Sequence, residues 1–539
     1  MPGAPTSGTL APSQGQPTEP GSGDGFRRTF GPSSQAGGSA PRTGGFGPRR
    51  DFAPRRESSP RREFSPPGRG GSGPRPFAPA RPGAGYAPRR DAAPAHTAAG
   101  ARQAALQVVN RVLVDDAYAQ LSLDEMFQTT SLSPADRRLA ARLVYTTLEN
   151  LTKIDFALAP FLHDVDALDP RVRNVLRLSA AQMLMMDRVP DFAAVSEAVD
   201  IVRGMDLENL TGMTNGVLRS LARGRDEIAW PKPGDPDYLS VTYSVPAWLG
   251  ETIISDHGPE TGEAILAYRN PDRAITIRRN EVLTTEAAFS QMLEKKVWDA
   301  KPGIVPGAVL VKNAPDIGRD ADYLAGQFSI HSEGSMVCVL AMDVKPGMQV
   351  LDACAAPGGK TCMMAERMQN TGRVHAWDLH EHRVALIQAQ AERLRLYNVR
   401  PAMRDATVYR EQFDAVMDAV LLDAPCSGTG VMDNKPDIKH RVTSEGVAAL
   451  VKLQEDLLEA VSRYVKPGGT LVYSTCSVLR DENDRQIERF LERHPEYSII
   501  ELPAAIPEAL RAQAGPLGLQ LLPHRDGVEG FYVARMKRA

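Results

Sequence analysis

Apolar residues between positions 98 and 230 recur every three or four residues, the spacing of amphipathic helices. Ser133 before Pro134, and Asp169 before Pro170, are typical of helix N-caps with proline in the first turn. Short polar connections separate the apolar runs. The pattern therefore predicts a small all-α bundle over residues 98–230.

Beyond about residue 326, strand-like apolar runs alternate with helix-like runs. The strand-like runs are MQVLDAC, RVHAWDL, VRPAMRD, DAVLLDAP, TLVYSTC and FYVARM, and KPGG ends the helix-like run ALVKLQEDLLEAVSRYV. This alternation predicts an α/β domain with a doubly wound, mostly parallel sheet over residues 326–539. In such sheets ligands bind beyond the carboxyl ends of the strands.

The segment between these two regions mixes both patterns. PKPGDP at 231–236 separates it from the helical bundle, and residues 238–325 contain short strand-like and helix-like runs, which predicts a small α+β domain. Arg278 and Arg279 lie in one of its strand-like runs, AITIRRN. Two interpretations are open for them: a strand that faces RNA, or a solvated edge strand.

Residues 1–97 are rich in Gly, Pro, Ala, Ser and Arg and nearly lack Leu, Ile and Val, which predicts a disordered tail. A hexapeptide recurs there as PRRDFA, PRRESS and PRREFS. Its paired arginines and interleaved Phe52 and Phe64 could contact RNA phosphates and stack on unpaired bases. The alternative is a solubilising tail.

Charge and cysteine content limit the classes of protein. The net charge of −3 combines +8 in the first 100 residues with −11 in the rest, a distribution that suits a polyanion partner at one end. All five cysteines lie between Cys338 and Cys476, an odd number that indicates a reducing, cytoplasmic environment. We expect no secretory signal, no membrane segment and no metal site.

LDACAAPGGKT at 351–361 combines a strand, a Gly-rich turn and the start of a helix. It matches neither the GxGxxG motif nor a Walker loop. A nucleoside that carries a carboxylate therefore fits this turn better than a nucleoside triphosphate does. The second strand ends at Asp378, where a ribose diol is gripped in such sheets. We predict that the third strand ends at Asp405, within reach of an adenine amino group.

Two cysteines follow the fourth and fifth strands, Cys426 in DAPC and Cys476 in STCS. Two thiols near Asp423 suit attack on an electron-poor ring carbon, such as C6 of a cytosine that is to be methylated at C5. The alternative is a pair of inert core cysteines. Spacing does not rank the thiols, although the Pro-Cys context favours Cys426 by analogy with DNA cytosine-C5 methyltransferases.

These motifs carry a resemblance. DACAAPGGKT, DAPCSGTG, STCS and the following DENDRQIERFL resemble the NOL1/NOP2/Sun family of S-adenosylmethionine-dependent RNA cytosine-C5 methyltransferases. The helical region resembles the NusB-like RNA-binding domain. The combination, which covers about residues 100–539, resembles bacterial enzymes that act on 16S ribosomal RNA. The resemblance implies a Rossmann-like class I methyltransferase domain.

The resemblance also implies roles for individual residues. It assigns the attacking thiol to Cys476, product release to Cys426, and contact with the target base at N3 to Asp423, which also borders the methionine end of the cofactor. It assigns the ribose hydroxyls to Asp378 and the adenine to Asp405. The remaining implied cofactor contacts are Cys354, Ala355, Ala356, Pro357, Gly358, Gly359, Lys360 and Arg383.

The chain departs from the family pattern at three places. His440-Arg441 stands where Trp-Leu is frequent, His331-Ser332 where Gln-Asp is frequent, and Arg404 where Gly is frequent. These departures concern the substrate side of the site. None of them removes a group to which the resemblance gives a catalytic role.

We expect a monomer that binds S-adenosylmethionine and ribosomal RNA, 16S in particular, and neither DNA nor membranes. Two other functions stay open. The substrate could be transfer RNA, or the chain could be a ribosome-assembly factor in which RNA binding matters more than methylation.

Overall fold

The structure is a computed structural model that describes residues 98–162, 164–165, 167–270, 274–314 and 316–539. The predicted tail, with Phe52 and Phe64, lies outside the described residues. Within the described residues, no helix is both long and apolar enough to cross a membrane.

The first region is the predicted helical bundle. Its helices are α1 (Ala98–Leu113), α2 (Ala119–Thr129), α3 (Pro134–Glu149), α4 (Leu151–Leu158), α5 (Pro170–Met185), α6 (Asp191–Arg203) and α7 (Thr211–Gly224). Both predicted caps are confirmed: the Ser133 side chain accepts a hydrogen bond from the Asp136 amide, and the Asp169 side chain accepts one from the Arg171 amide. The apolar faces of helices α1 to α7 share one core.

A second group of elements follows the bundle. It comprises α8 (Tyr238–Tyr243), α9 (Ala247–His257), α10 (Pro259–Ala267), β1 (Ile275–Arg279), α11 (Glu286–Glu294), β2 (Asp299–Pro302), β3 (Ala308–Lys312), α12 (Ala321–Leu324) and β4 (Phe328–Ile330). The strands form an antiparallel sheet in the order β2-β3-β1-β4. Strand β1 is therefore an interior strand.

This position corrects both sequence interpretations of Arg278. The side chain neither faces RNA nor lies on a solvated edge, since only 2% of it is exposed. Its Nη1 donates to Glu366 Oε2 at 2.6 Å and its Nη2 donates to Glu366 Oε1 at 2.9 Å. Arg279 is half-buried and donates to the carbonyl oxygen of Thr284. A charge within a short strand does not reveal whether a distant partner will bury it.

The third region contains the predicted α/β domain. Its strands are β5 (Gln349–Asp352), β6 (Arg373–Asp378), β7 (Val399–Met403), β8 (Met417–Asp423), β9 (Val465–Thr475), β10 (Tyr497–Ile499), β11 (Leu519–Leu521) and β12 (Phe531–Arg538). Its helices are α13 (Glu333–Met342), α14 (Gly359–Arg367), α15 (Glu381–Arg393), α16 (Ile438–Arg441), α17 (Ser444–Ser462), α18 (Asp484–Arg493), α19 (Glu508–Arg511) and α20 (Pro523–Asp526).

The strand order β10-β12-β9-β8-β5-β6-β7, with β11 beside β12, confirms the predicted doubly wound sheet. Strands β5 to β9 pair in parallel, whereas β12 is antiparallel to β9. Successive strand residues point to opposite faces, so Val350 joins the core under α13 and α14 while Leu351 joins the core under α17. Apolar residues on both faces explain the near-continuous apolar runs in the sequence.

Two predicted boundaries differ from the structure. The third strand ends at Met403, and Asp405 lies beyond it in a turn that it closes by accepting the Thr407 amide hydrogen bond. Helix α17 ends at Ser462, and KPGG lies within β9, where the pairing with β8 shifts register. Gly468 has a φ of +77°, which a glycine tolerates best.

We expect Arg278→Met to destabilise the chain strongly, because it leaves the Glu366 carboxylate buried without its partner. Breaking a buried ion pair by removing one partner costs about 3–5 kcal/mol of unfolding free energy. Urea unfolding followed by tryptophan fluorescence measures this loss. The double variant Arg278→Met/Glu366→Met should lose less than the single variant, and Arg203→Ala, which removes an exposed ion pair, serves as the control. Equal stability of Arg278→Met and the unmodified chain would contradict this role.

Candidate active site

The Gly-rich turn joins β5 to α14. Asp352 ends the strand, and one of its oxygens accepts a hydrogen bond from Thr361 Oγ1 at 2.6 Å. Its other oxygen, Oδ1, is buried and has no partner within the described part of the chain. Burial raises the pKa of Asp352 to about 7. Gly358 has a φ of +105°, and a Cβ there would lie 3.1 Å from the Cα of Ile387. A larger residue would therefore strain the turn.

Asp378, at the end of β6, lies beside this turn. Its Oδ2 accepts the Ala356 amide at 3.3 Å, and its Oδ1 accepts the His380 amide at 3.2 Å. Arg383 Nη2 lies 3.5 Å from Asp378 Oδ2 and donates to the Ala356 carbonyl. The predicted turn, acid and arginine thus lie together, and Arg383 lies outside the motifs that were quoted for the resemblance.

Apolar side chains accompany the acids on this side. Met403 pairs with Asp378 across the β6–β7 ladder, and Met403 and Leu379 are 61% and 56% exposed. Asp405 accepts hydrogen bonds from both the amide and the hydroxyl of Thr407 through its Oδ1. A nucleoside fits this arrangement, with acids for hydroxyl and amino groups and exposed apolar surface for a flat ring.

The thiols of Cys426 and Cys476 are in contact, with 3.4 Å between their sulfur atoms. They meet because β8 and β9 are parallel neighbours and Asp423 is opposite Ser474 in the ladder. The hydrogen bond between the two thiols lowers the pKa of Cys476, which burial opposes. The same bond, together with burial, raises the pKa of Cys426 well above its usual value. These pKa shifts favour a thiolate at Cys476 over one at Cys426.

Asp423 is held by two neighbours. Lys360 Nζ lies 2.7 Å from Asp423 Oδ2, and Ser474 Oγ donates to Asp423 Oδ1 at 2.8 Å. Burial opposes charge on Lys360, yet the carboxylate of Asp423 raises the pKa of this lysine above its usual value. The ammonium of Lys360 also lies 5.1 Å from the centre of the Phe531 ring. The Lys360–Asp423 ion pair thus connects the Gly-rich turn to the end of β8, which leads into the loop of Cys426.

The loop of Cys426 packs closely against its surroundings. The amide of Gly430 donates to the Cys476 carbonyl at 2.9 Å, and the Gly530 amide donates to the Gly430 carbonyl at 3.0 Å. A Cβ on Gly430 would overlap with the Gly530 carbonyl oxygen. Glycine at this position is therefore required by the approach of two backbones.

Glu482 and Asn483 hold both thiol loops, and no predicted role fell on either residue. Glu482 Oε1 accepts the amide of Ser427 at 2.9 Å. Asn483 Nδ2 donates to the carbonyl of Ser477 at 2.9 Å, and its Oδ1 accepts the Thr475 hydroxyl at 2.6 Å. Both residues belong to the DENDRQ run, so the motif that carried the resemblance also contained the signal.

The three departures from the family pattern have local explanations. His440 bonds to the carbonyl of Leu148 through Nε2 at 2.6 Å, and Arg441 lies over the Tyr118 ring at 4.0 Å, so both contact the helical bundle. Arg404 lies over the Trp377 ring, 5.4 Å from its centre. His331 is buried, and its ring lies 3.8 Å from where a Cβ on Gly359 would be. Among the described residues, no group of His, Cys, Asp and Glu could hold a metal ion.

Comparisons with known proteins agree with this geometry. A family model described as 16S rRNA methyltransferase RsmB/F matches residues 339–537, and one described as the NusB family matches residues 99–223. A solved structure titled crystal structure of PH0851 has a TM-score of 0.70 and 26% identity, and covers 82% of this chain and 99% of its own. These matches confirm the predicted fold class and the predicted family resemblance.

Two curated relatives are similar over most of their length. The probable ribosomal RNA small subunit methyltransferase B of Bacillus subtilis (strain 168) is 35% identical over 81% of this chain and 98% of its own. The protein of the same name from Synechocystis sp. is 31% identical over 81% of this chain and 99% of its own. The chain therefore belongs to the 16S rRNA methyltransferase RsmB/F family.

Proposed function

We propose that the chain methylates C5 of a cytosine in 16S ribosomal RNA, as a monomer in the cytoplasm, with S-adenosylmethionine as the methyl donor. The observation that carries this proposal is the 3.4 Å contact between the sulfurs of Cys426 and Cys476 beside Asp423. Two thiols in contact suit a reaction in which one sulfur adds to a ring carbon and later leaves it. The names of the curated relatives supply the RNA class.

The residues at the ends of β5, β6 and β7 would hold the cofactor. Asp378 would bind the ribose hydroxyls, with Arg383 close to it, and Asp405 the adenine amino group. The turn from Cys354 to Lys360 would lie against the methionine part, where Lys360 and the start of α14 favour a carboxylate. When bound, S-adenosylmethionine supplies an electrophilic methyl group.

The chain's own task is to make C5 of the base nucleophilic. The Cys476 thiolate adds to C6, and the electron pair of the C5–C6 double bond moves so that C5 acquires enamine character. Asp423 would act as a general acid that delivers a proton to N3 and so cancels the negative charge that the addition drives into the ring. Lys360 and Ser474 fix the orientation of this carboxylate.

Release of the product reverses the addition. After C5 has gained its methyl group, loss of the C5 proton returns an electron pair to the ring, and the bond between C6 and Cys476 breaks. The departing sulfur becomes a thiolate again. Cys426, whose S–H group lies 3.4 Å away, can donate to this thiolate and stabilise it.

The other two regions would bind the RNA around the target base. We propose the domain bounds 98–230 for the NusB-like domain, 238–325 for the small α+β domain and 326–539 for the methyltransferase domain. Strand β4, at the start of the last range, pairs with the sheet of the small domain. The target base has to be unstacked to reach the thiols, which favours a loop or a partly assembled RNA. Phosphate contacts would weaken binding as the salt concentration rises.

The substrate is tested by incubating the full chain and labelled S-adenosylmethionine with naked 16S RNA, assembled small subunits and transfer RNA, followed by mapping of the methylated position. We expect C5-methylcytosine at one position of 16S RNA. Methylation of transfer RNA alone would show that the substrate is transfer RNA and not 16S RNA. Absence of methyl transfer to every RNA, with cofactor binding intact, would favour an assembly factor.

We expect Cys476→Ser to lower the methylation rate at least about a thousandfold, because a serine hydroxyl is far harder to ionise than this thiol. The measurement is single-turnover methylation of 16S RNA. Affinity for S-adenosylmethionine, measured by calorimetry, should stay within about twofold because the cofactor contacts lie on other strands. Retention of most of the activity would contradict the role of Cys476.

Replacing Cys426 by Ser should have a different effect from replacing Cys476. The first addition can still occur, but the serine hydroxyl is shorter and far less acidic than the thiol that it replaces. It should therefore support the leaving thiolate less well, and we expect a covalent protein–RNA adduct that survives denaturation. Denaturing gel electrophoresis with labelled RNA detects this adduct. The double variant Cys426→Ser/Cys476→Ser is the control and should form none. An adduct that persists in the double variant would show that another nucleophile is involved.

A further inference from the structure

Glu482 is a fully buried carboxylate beside the loop of Cys426. Its oxygens accept hydrogen bonds from the Ser427 amide at 2.9 Å, from the Ser427 hydroxyl, and from Gln454 Nε2 at 3.0 Å. All three partners donate to the carboxylate oxygens, which can only accept. Within the part of the chain that the structure describes, no Lys, Arg or His lies within 4.0 Å of it. Its negative charge is therefore solvated by hydrogen bonds and not cancelled by a cation.

The two thiols have different charged neighbours. Cys426 contacts Cys476, and Glu482 accepts the amide of the next residue, Ser427; neither neighbour is a cation. A negative charge next to a thiol disfavours the thiolate. The charge distribution on this side of the sulfur pair therefore keeps the proton on Cys426.

The surroundings of Cys476, unlike those of Cys426, include cations. The carboxylate of Asp423 disfavours the thiolate of Cys476, whereas the ammonium groups of Lys360 and Lys435 favour it. Lys435 is exposed, so solvent weakens its effect. Lys360 is largely buried and is paired with Asp423 at 2.7 Å, so solvent weakens the effect of its charge less.

We propose that Glu482 is a positioning residue that sets the direction of the contact between the thiols: its carboxylate keeps the proton on Cys426, which donates to Cys476. The same residue fixes the Cys426 loop through Ser427, while its neighbour Asn483 fixes the Cys476 loop through Ser477. Two adjacent residues thus hold the two loops whose sulfurs lie at hydrogen-bonding distance. The inference rests on the proposed function only in naming Cys476 as the attacking thiol.

The directions of the pKa shifts agree with this geometry. The hydrogen bond to Cys476, burial and the charge of Glu482 all raise the pKa of Cys426. The hydrogen bond with Cys426 and the charges of Lys360 and Lys435 lower the pKa of Cys476, against burial and Asp423. Removing the charge of Glu482 should therefore bring the two thiols closer in acidity.

The test measures the rate at which iodoacetamide alkylates each cysteine between pH 6 and 10 (about the range in which thiols titrate), without RNA or cofactor. The two cysteines lie in different tryptic peptides, 411–439 and 464–480, so mass spectrometry follows them separately. In the unmodified chain, Cys476 should react faster at neutral pH. In Glu482→Gln, the ratio of the Cys426 rate to the Cys476 rate should rise at least about fivefold.

Two control variants separate charge from structure. Ser427→Ala removes one hydrogen bond of Glu482 but leaves its charge, so the rate ratio should stay within about twofold of that of the unmodified chain. Glu482→Asp shortens the side chain and loosens the loop but keeps the charge, so Cys476 should stay the faster thiol. If Glu482→Gln does not fold, as judged by circular dichroism, the Asp variant alone decides the question.

Three results would overturn the inference. The first is faster alkylation of Cys426 in the unmodified chain, the second an unchanged rate ratio in folded Glu482→Gln, and the third loss of the Cys476 preference in Glu482→Asp. All of these are independent of methyl transfer. A chain that lacks methylation activity but shows the expected alkylation rates would contradict the proposed function and leave the role of Glu482 intact.

Discussion

The parallel pairing of β8 with β9 is the constraint on which the rest of the site depends, because it brings the ends of both strands to one edge of the sheet. Asp423 lies opposite Ser474, and the loops that follow carry Cys426 and Cys476 to within 3.4 Å. The same edge receives the turn after β5, which contributes Lys360. A register shift of one residue would turn these groups to the opposite face of the sheet.

The charges around Cys426 and Cys476 give these two chemically identical side chains different roles. The buried carboxylate of Glu482 lies beside the loop of Cys426, whereas the charged neighbours of Cys476 are the Lys360–Asp423 ion pair and Lys435. A proton shared between them is then held on one sulfur, which leaves the other able to attack. Few water molecules can screen these charges, because Glu482 is fully buried and only 15% of the Lys360 side chain is exposed. The difference between the thiols therefore comes from their surroundings and not from their sequence context.

The sequence predicted the features that depend on local patterns, and it failed where distant partners decide. Buried strands that end in acids placed Asp378 and Asp423 correctly, and helix caps predicted the starts of two helices. Arg278 was misinterpreted because its partner, Glu366, lies 88 positions away. Glu482 was overlooked because its contact with Ser427 spans 55 positions. Spacing could not rank the thiols, since the charges that distinguish them come from four separate segments.

The most direct measurement is the identity of the cysteine that bonds to RNA in the unmodified chain. A 16S RNA transcript with 5-fluorocytosine traps the methylated adduct, because the fluorine at C5 cannot leave as a proton does. Digestion and mass spectrometry then locate the modified peptide. The mechanism predicts a nucleotide attached to Cys476 in peptide 464–480. Attachment to Cys426 in peptide 411–439 would reverse the roles of the two thiols.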